Sequence, residues 1–408
     1  MHKYDYLIVG GGIAGITAAE TIREAEPRST IAVISAEQHV LYSRVMLPSY
    51  LKKSIPREKL FLRTIDQFTE RRIDLFLETH ASFIDTRYKE VGLVNRASID
   101  YQKLLVASGV AVRPWGISAP PEFLYRLQTL DDADRLYAAL PALQSPVVIG
   151  GSFIALEFLE IFTKNELTPI LLVNGPHFFD VFLDADGGAL LLKNFEAHGI
   201  KVHYNDSVTH VVKKEDMCEV RTRRLQRVSS NALAVGIGVD RAVGFLSGSG
   251  IELGACGVKT NEFLETNVAG VFAAGDVAEF YDVISGEHHS IGNWTNAFLQ
   301  GRRAGLTMVG RKEPFINVSS YSISNFGLQI TAVGYCDNQL DAVTRIDPAR
   351  KQYERFFLRD GVLVGAALIN RFQDKNAITK LIERRTNVGE YRDRLADFGF
   401  DIGSITAV

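Results

Sequence analysis

The chain opens on an apolar run, Tyr4-Asp5-Tyr6-Leu7-Ile8-Val9, that breaks at three consecutive glycines. A short, nearly continuous apolar run predicts a strand buried on both faces. Behind the glycines, a helical stretch carries the small residues Ala14, Ala18 and Ala19. A second apolar run over 30–34 predicts another strand, followed closely by Glu37. Residues 41–51 read as a loop leading into a short helix, 73–77 and 90–94 as short strands, and 101–106 as a buried strand ending in a glycine turn at Gly109. Val112-Arg113-Pro114-Trp115-Gly116 and Pro120-Pro121 read as a linker. The opening series then repeats: an apolar run to Ile149, the turn Gly150-Gly151-Ser152, a helix through Glu157, and a strand ending at Asn174. Strand-like segments follow at 201–204, 208–212 and 232–238. Residues 270–274 form a further buried run that delivers Asp276 just past Gly275, and 293–305 read as a helix. From about Tyr321 the pattern alternates. Apolar runs flank Arg359-Asp360-Gly361, a hairpin signal, and a helix is expected over 376–383.

Composition adds limits. With 408 residues, two or three domains are expected. Hydrophobic residues make up 46% and charged residues 23%, an ordinary globular balance, and a net charge of −3 argues against a general nucleic-acid binder. The glycines interrupt the N-terminal apolar run, so no secretory leader is expected, and no apolar stretch is long enough to predict a membrane span. Three scattered cysteines without a Cys-x-x-Cys pair predict neither a disulfide framework nor a zinc knuckle, and make a reducing cytoplasm the default.

Each part of the first pattern has a role in holding a dinucleotide. Gly10 takes the tight turn, Gly12 lets backbone approach a pyrophosphate, and Gly15 lets the helix close on the strand. Ile13 and Ala14 head a helix whose unpaired N–H groups suit phosphates. Glu37 is placed to accept from a ribose. The repeat is less regular. Ser152 stands at the second glycine and Ala155 at the third. Alanine is tolerated there, whereas serine adds a side chain where backbone should approach phosphate, although its hydroxyl can donate to that phosphate. Asn174 stands in place of the acid, and no arginine follows at once to read a 2′-phosphate. A working nucleotide site and a purely structural repeat both stay open. If a nicotinamide dinucleotide binds here, Asn174 alone predicts a preference for NADH over NADPH of no more than roughly tenfold, the worth of one neutral hydrogen bond. His203 and His210 alternate on expected strands and read as structural or solvated; His288-His289 reads as part of a glycine-rich loop with too few further ligands for a metal.

The stretches beginning at Gly10, Tyr42, Leu104, Gly150, Gly275 and Trp294 stand in the order, and at the separations, of the FAD-dependent pyridine-nucleotide oxidoreductases. The chain resembles the ferredoxin, rubredoxin and nitrite reductase branch over nearly its whole length. The resemblance implies an α/β fold of two Rossmann-like dinucleotide-binding domains, FAD in 1–115 and 240–318 and NAD(P)H in 116–239, with a C-terminal α+β domain over 319–408. It implies that residues 10–15 hold the FAD pyrophosphate, Glu37 the adenosine ribose, and Gly275 and Asp276 the ribityl-phosphate region. Arg44, Ala107, Ser108, Gly109 and Trp294 would lie around the flavin. Gly150, Ser152, Phe153 and Ile154 would meet the nicotinamide dinucleotide, with Glu157 near its carboxamide. Each assignment has a plainer rival: Asp276 as a helix N-cap, Arg44 as a solvated loop residue, Trp294 as core packing, Glu157 as a helix surface charge.

Two departures from the family shape the chemistry. Disulfide-reducing members carry a cysteine in the loop after the first acid, where this chain reads Arg44-Val45-Met46-Leu47-Pro48. Many ferredoxin-reductase relatives carry a lysine where this chain has Ser49, so Glu157 is expected to lack its cation, with Arg44 a candidate substitute. The resemblance then implies an FAD-dependent NAD(P)H oxidoreductase that passes electrons to a rubredoxin- or ferredoxin-like protein or to a partner reductase subunit, with Glu157 and Arg44 as its catalytic side chains and a homodimer left open. An NAD(P)H oxidase and a flavin-binding interaction protein of apoptosis-inducing-factor type are the alternatives.

Overall fold

The computed structural model describes residues 3–405 apart from Leu225. Two compact units emerge, each assembled from separated segments. The first comprises 1–46, 56–111 and 239–317, the second 47–55, 112–238 and 318–408.

The first unit is built on a parallel core sheet. Lys3–Val9 pairs with Ile31–Ile34 on one side and Ser98–Val106 on the other, and Ile73–Phe76 extends the sheet beyond Ile31–Ile34. Ser98–Val106 is long enough to serve two neighbours along one edge. Its first residues pair antiparallel with Glu90–Leu93, and Leu104–Val106 pair parallel with Val271–Ala273. Leu7, Ile8, Leu104 and Leu105 are fully buried, which is why these strands read as continuous apolar runs. The helices Ile13–Ala25 and Trp294–Met308 pack backbone to backbone. A Cβ on Gly301 would collide with the Ala14 carbonyl, and one on Gly305 would lie 2.9 Å from the Ala18 carbonyl. Glu287–His289 is a strand paired with Ala278–Asp282, which corrects the loop expected at His288-His289; His289 Nε2 bonds Ser285 Oγ at 2.8 Å.

The second unit holds a five-stranded parallel sheet in the order Lys201–Tyr204, Ile170–Val173, Val147–Ile149, Leu233–Val235, Leu124–Tyr125. The strand expected over 232–238 shrinks to three residues, because its partner Val147–Ile149 ends at the Gly150 turn: Gly236 N still donates to the Ile149 carbonyl at 2.8 Å, and a Cβ on Gly236 would stand 2.8 Å from Ala155 N of the helix Phe153–Lys164. The segment expected as a linker partly covers this sheet, since Trp115, Ile117 and Ala119 pack against a cluster containing Val147, Leu172 and Leu233. The C-terminal part is an antiparallel five-stranded sheet. Its Gln352–Arg359 and Val362–Ile369 hairpin turns at Asp360 (φ 51) and Gly361 (φ 78), both in the left-handed region a tight hairpin needs. The helix Lys375–Glu383 follows. Among the described residues, no helix is long and apolar enough to cross a membrane.

Candidate functional site

In the first unit the glycine turn is shaped by what surrounds it. Gly10 sits at φ 130, and a side chain there would collide with the Ala107 carbonyl. Gly15 is closed in the same way by the Gly10 carbonyl, so helix and strand touch through backbone. Gly12 differs. A Cβ added to it meets nothing within 4 Å, and it caps the helix Ile13–Ala25 without a side-chain hydrogen bond. No acidic residue occupies the first turn of that helix, so nothing within the helix offsets the positive potential of its N–H groups.

A cleft at this turn gathers Gly12, Ile13, Glu37, Tyr42, Arg44 and Trp294. Glu37 is fixed by two neighbours: the Tyr42 hydroxyl donates to one carboxylate oxygen at 2.6 Å, and Arg44 Nη2 donates to the other. The guanidinium also lies over the Tyr42 ring, 5.3 Å from its centroid. Burial works against the charge on Arg44, but Tyr42, Glu37 and Asp276 outweigh it and raise its pKa. Asp276 is brought to the same region. Gly275 packs on Ala14, its N–H donating to Gln300 Oε1 at 2.8 Å, and a Cβ on Gly292 would stand 3.4 Å from Asp276 Oδ2. Burial raises the Asp276 pKa, opposed by Arg241 and then Arg44. It caps no helix: that task on Trp294–Met308 falls to Asn293, which accepts from Asn296 N at 2.8 Å. Trp294 is partly buried and packs on the core while also lining the cleft. Ser108 donates to the Ala242 carbonyl at 2.8 Å, and Gly109 takes φ 67, which ends the strand beside the turn. An open glycine, an uncapped helix N-terminus and a fixed acid at the second strand fit a dinucleotide such as FAD.

The second unit repeats the turn with changes. Gly150 takes φ 126, where a side chain would collide with the Gly236 carbonyl. Ser152 caps the helix Phe153–Lys164, accepting from Ala155 N at 3.4 Å, and its hydroxyl donates to the Gly236 carbonyl at 2.8 Å. In this geometry that proton goes to backbone. Phe153 packs against Phe179, Phe182 and Tyr321, with centroids at 4.6, 5.9 and 4.5 Å. Ile154 stays exposed at the head of the helix.

Glu157 has a cation after all, and it is Lys52 rather than Arg44. Lys52 Nζ lies 3.7 Å from Glu157 Oε2 and 2.5 Å from Glu160 Oε2. Its own N–H donates to the Pro48 carbonyl, so the short helix Leu47–Leu51 carries it onto the face of Ser49, one turn later. Asn325, from the C-terminal sheet, donates to Glu160 at 2.8 Å and to Glu157 at 3.4 Å, and Phe326 N donates to Glu160 Oε1 at 3.1 Å. One ammonium thus serves two carboxylates. Burial pushes the Glu157 carboxyl up, Lys52 and Asn325 pull it down, and the neighbouring Glu160 adds to the rise. Lys52 was legible as a lysine at helical spacing from Ser49, and Glu160 as the i+3 neighbour of Glu157; Asn325, 165 residues from Glu160, left no local signal.

A family profile described as pyridine nucleotide-disulphide oxidoreductase matches residues 4–301, and one described as reductase C-terminal matches residues 324–406. Apoptosis-inducing factor 3 of Homo sapiens is 28% identical over 370 residues, which cover 89% of this chain and 60% of that protein, so the chain spans about 60% of this relative's length. The 5,5'-dehydrodivanillate O-demethylase ferredoxin reductase subunit of Sphingobium sp. is 28% identical over 421 residues, 100% of this chain and 99% of the relative. Among solved structures, the ferredoxin reductase for the CYP199A2 system of Rhodopseudomonas palustris shares the fold with a TM-score of 0.88 at 25% identity, covering 98% of both chains. With nearly three quarters of its length matched by one profile and both glycine turns built as described, the chain belongs to the pyridine nucleotide-disulphide oxidoreductase family.

Proposed function

We propose that this chain is an FAD-dependent NAD(P)H reductase that delivers electrons to a small redox protein or a partner reductase subunit. The observation that carries the reading is the cleft of the first unit, where the open Gly12 faces an uncapped helix and a fixed Glu37. Residues 1–115 and 240–318 serve FAD, 116–239 the nicotinamide dinucleotide, and 319–408 form the C-terminal domain.

Bound FAD would supply hydride acceptance from the nicotinamide and onward electron transfer. The chain supplies position and charge. The N–H groups heading Ile13–Ala25 receive the pyrophosphate. Glu37, held by Tyr42 and Arg44, keeps lone pairs for the adenosine ribose, while Asp276 and Trp294 border the flavin portion. At the second turn Glu157, with Lys52 beside it, orients the carboxamide. No thiol relay is available on the expected route: the loop after Glu37 has no cysteine, and burial pushes the Cys218 thiol up to about 11 and Cys336 up to about 12, far from thiolate character. Unpaired cysteines suit a reducing cytoplasm.

The test is direct. The purified protein should be yellow, release FAD on denaturation, bleach anaerobically with NADH, and then reduce a ferredoxin or rubredoxin faster than oxygen. A colourless native protein would overturn the flavin assignment, and oxygen consumption outpacing every protein acceptor would favour the oxidase alternative.

A further inference from the structure

The second strand of the nicotinamide-binding region runs out at Asn174, which leaves the sequence without a charged acceptor for an adenosine ribose. The fold brings one back from six residues later. After Asn174 the chain climbs over the glycine turn, where Phe179, at φ 57, donates its N–H to the Gly151 carbonyl at 3.3 Å. This bend lays Asp180 on Gly175. A Cβ on Gly175 would fall on Asp180 Oδ2 and lie 2.8 Å from its Cγ, so the carboxylate fills the space that a side chain beside Asn174 would take. The loop is pinned from the C-terminal sheet: Asn338 donates its side-chain amide to the Asp180 carbonyl and, at 2.7 Å, to the Leu183 carbonyl, and its N–H to the Val181 carbonyl at 2.9 Å. Among the described residues no hydrogen bond or ion pair ends on the Asp180 carboxylate itself, which is half-buried. Two exposed arginines stand on the far side of this corner and are held by backbone: Asn205 N donates to the Gly175 carbonyl at 2.9 Å, Arg223 Nη2 donates to the Asn205 carbonyl at 2.8 Å, and Arg224 Nη1 to the Tyr204 carbonyl at 3.4 Å, whereas Asp180 lies directly on Gly175.

We propose that Asp180 reads the adenosine ribose of the nicotinamide dinucleotide in place of Asn174, and thereby sets a preference for NADH over NADPH. A carboxylate resting on the strand end beside Asn174 accepts from the 2′- and 3′-hydroxyls of NADH. The 2′-phosphate of NADPH brings further negative charge against it. Gly175 is required because only a residue without a side chain leaves room for the carboxylate. The roughly tenfold ceiling that Asn174 alone implies is then too low; a charge-assisted acceptor adds roughly another ten- to a hundredfold.

The proposal rests on the second glycine turn holding the dinucleotide, and the experiment separates the two. Anaerobic flavin reduction is followed in the FAD-loaded protein with NADH and with NADPH, for the wild type, Asp180→Asn and Gly175→Ala, alongside competition by AMP and 2′-AMP. The wild type is expected to prefer NADH by more than tenfold. Asp180→Asn should lower that ratio roughly ten- to a hundredfold through KM, with the limiting reduction rate unchanged. Gly175→Ala should act in the same direction, and after either change AMP should compete more weakly and 2′-AMP more strongly than against the wild type. NADH reduction that persists with an unchanged ratio in Asp180→Asn overturns the proposal alone. Bound flavin that neither nucleotide reduces in the wild type overturns the nucleotide reading of the turn and the proposal with it.

Discussion

Gly10 and Gly12 stand two residues apart and fail for different reasons when replaced. A valine at Gly10 would have to take φ 130 and collide with the Ala107 carbonyl, so the expected outcome is loss of folded protein. The Cβ of a valine at Gly12 meets no protein atom within 4 Å, and the backbone there, at φ −78 and ψ −177, is open to any residue. Gly12→Val should therefore fold and unfold like the apoprotein yet bind FAD roughly ten- to a hundredfold more weakly, as fluorescence titration with FAD would show. Glu157 supports a prediction in pH. Its folded pKa lies above its unfolded value, chiefly through burial, so its contribution to stability is full below the usual glutamate pKa and is lost as pH rises through the raised one. Glu157→Gln removes that loss. Thermal unfolding should show the variant gaining on the wild type at pH 8 and matching it near pH 4, with each kcal/mol reading as about 2–4 °C. Lys52→Met should make the pH-dependent loss larger, because Lys52 is the leading group that pulls the Glu157 pKa down. The glycine turns and the position of Glu37 at the end of the second strand were legible in the sequence because they depend on local spacing, whereas Asp276 was picked out by resemblance. Lys52 carried a local signal, its helical spacing from Ser49, that was not used; Asn325 and Asp180 carried none, because a distant sheet and a bent loop deliver them to where they stand.

At the level of elements, the contact between Ile13–Ala25 and Trp294–Met308 depends on residues without side chains. Gly301→Ala places a methyl against the Ala14 carbonyl, a backbone atom that cannot swing away. The two helices must part. An expected loss of about 1–3 kcal/mol should appear in denaturant unfolding, and FAD affinity should fall with it, because Ala14 heads the helix proposed to receive the pyrophosphate. Gly301→Ala retaining wild-type stability and affinity would show that this contact is slack. The strands of the parallel sheets were readable as buried apolar runs, yet the sequence left their ends uncertain. The strand Leu233–Val235, for instance, stops after Gly236 N has donated to Ile149, because the neighbouring strand turns there at Gly150, a fact of pairing rather than of local pattern. His288-His289 misled for a related reason: glycine suggested a loop, but pairing with Tyr281 and Phe280 makes it a strand.

For the whole molecule, the chemistry ought not to depend on sulfur. Cys218 donates to the Ser230 carbonyl at 3.0 Å, a bond serine can keep, and Cys256 is exposed. Replacing Cys218, Cys256 and Cys336 together by serine should leave NADH-driven reduction of a protein acceptor within about threefold of wild type, since one retained or lost neutral hydrogen bond is worth little. Neither protein should reduce disulfide substrates. Loss of turnover with FAD still bound would show that a cysteine takes part. The division of the first unit into separated stretches of chain has a consequence for its birth on the ribosome. Leu104–Val106 wait for Val271–Ala273 before that edge of the sheet is filled, and Asp276 and the helix Trp294–Met308 come later still. At about 5–20 residues per second, the first glycine turn spends on the order of ten seconds or more exposed and without these later partners, while the intervening parallel sheet of the second unit is synthesised in full. Capture of the flavin is thereby deferred until after translation has passed the helix, and a nascent chain arrested near residue 290 should emerge colourless, with its first strands open to proteolysis.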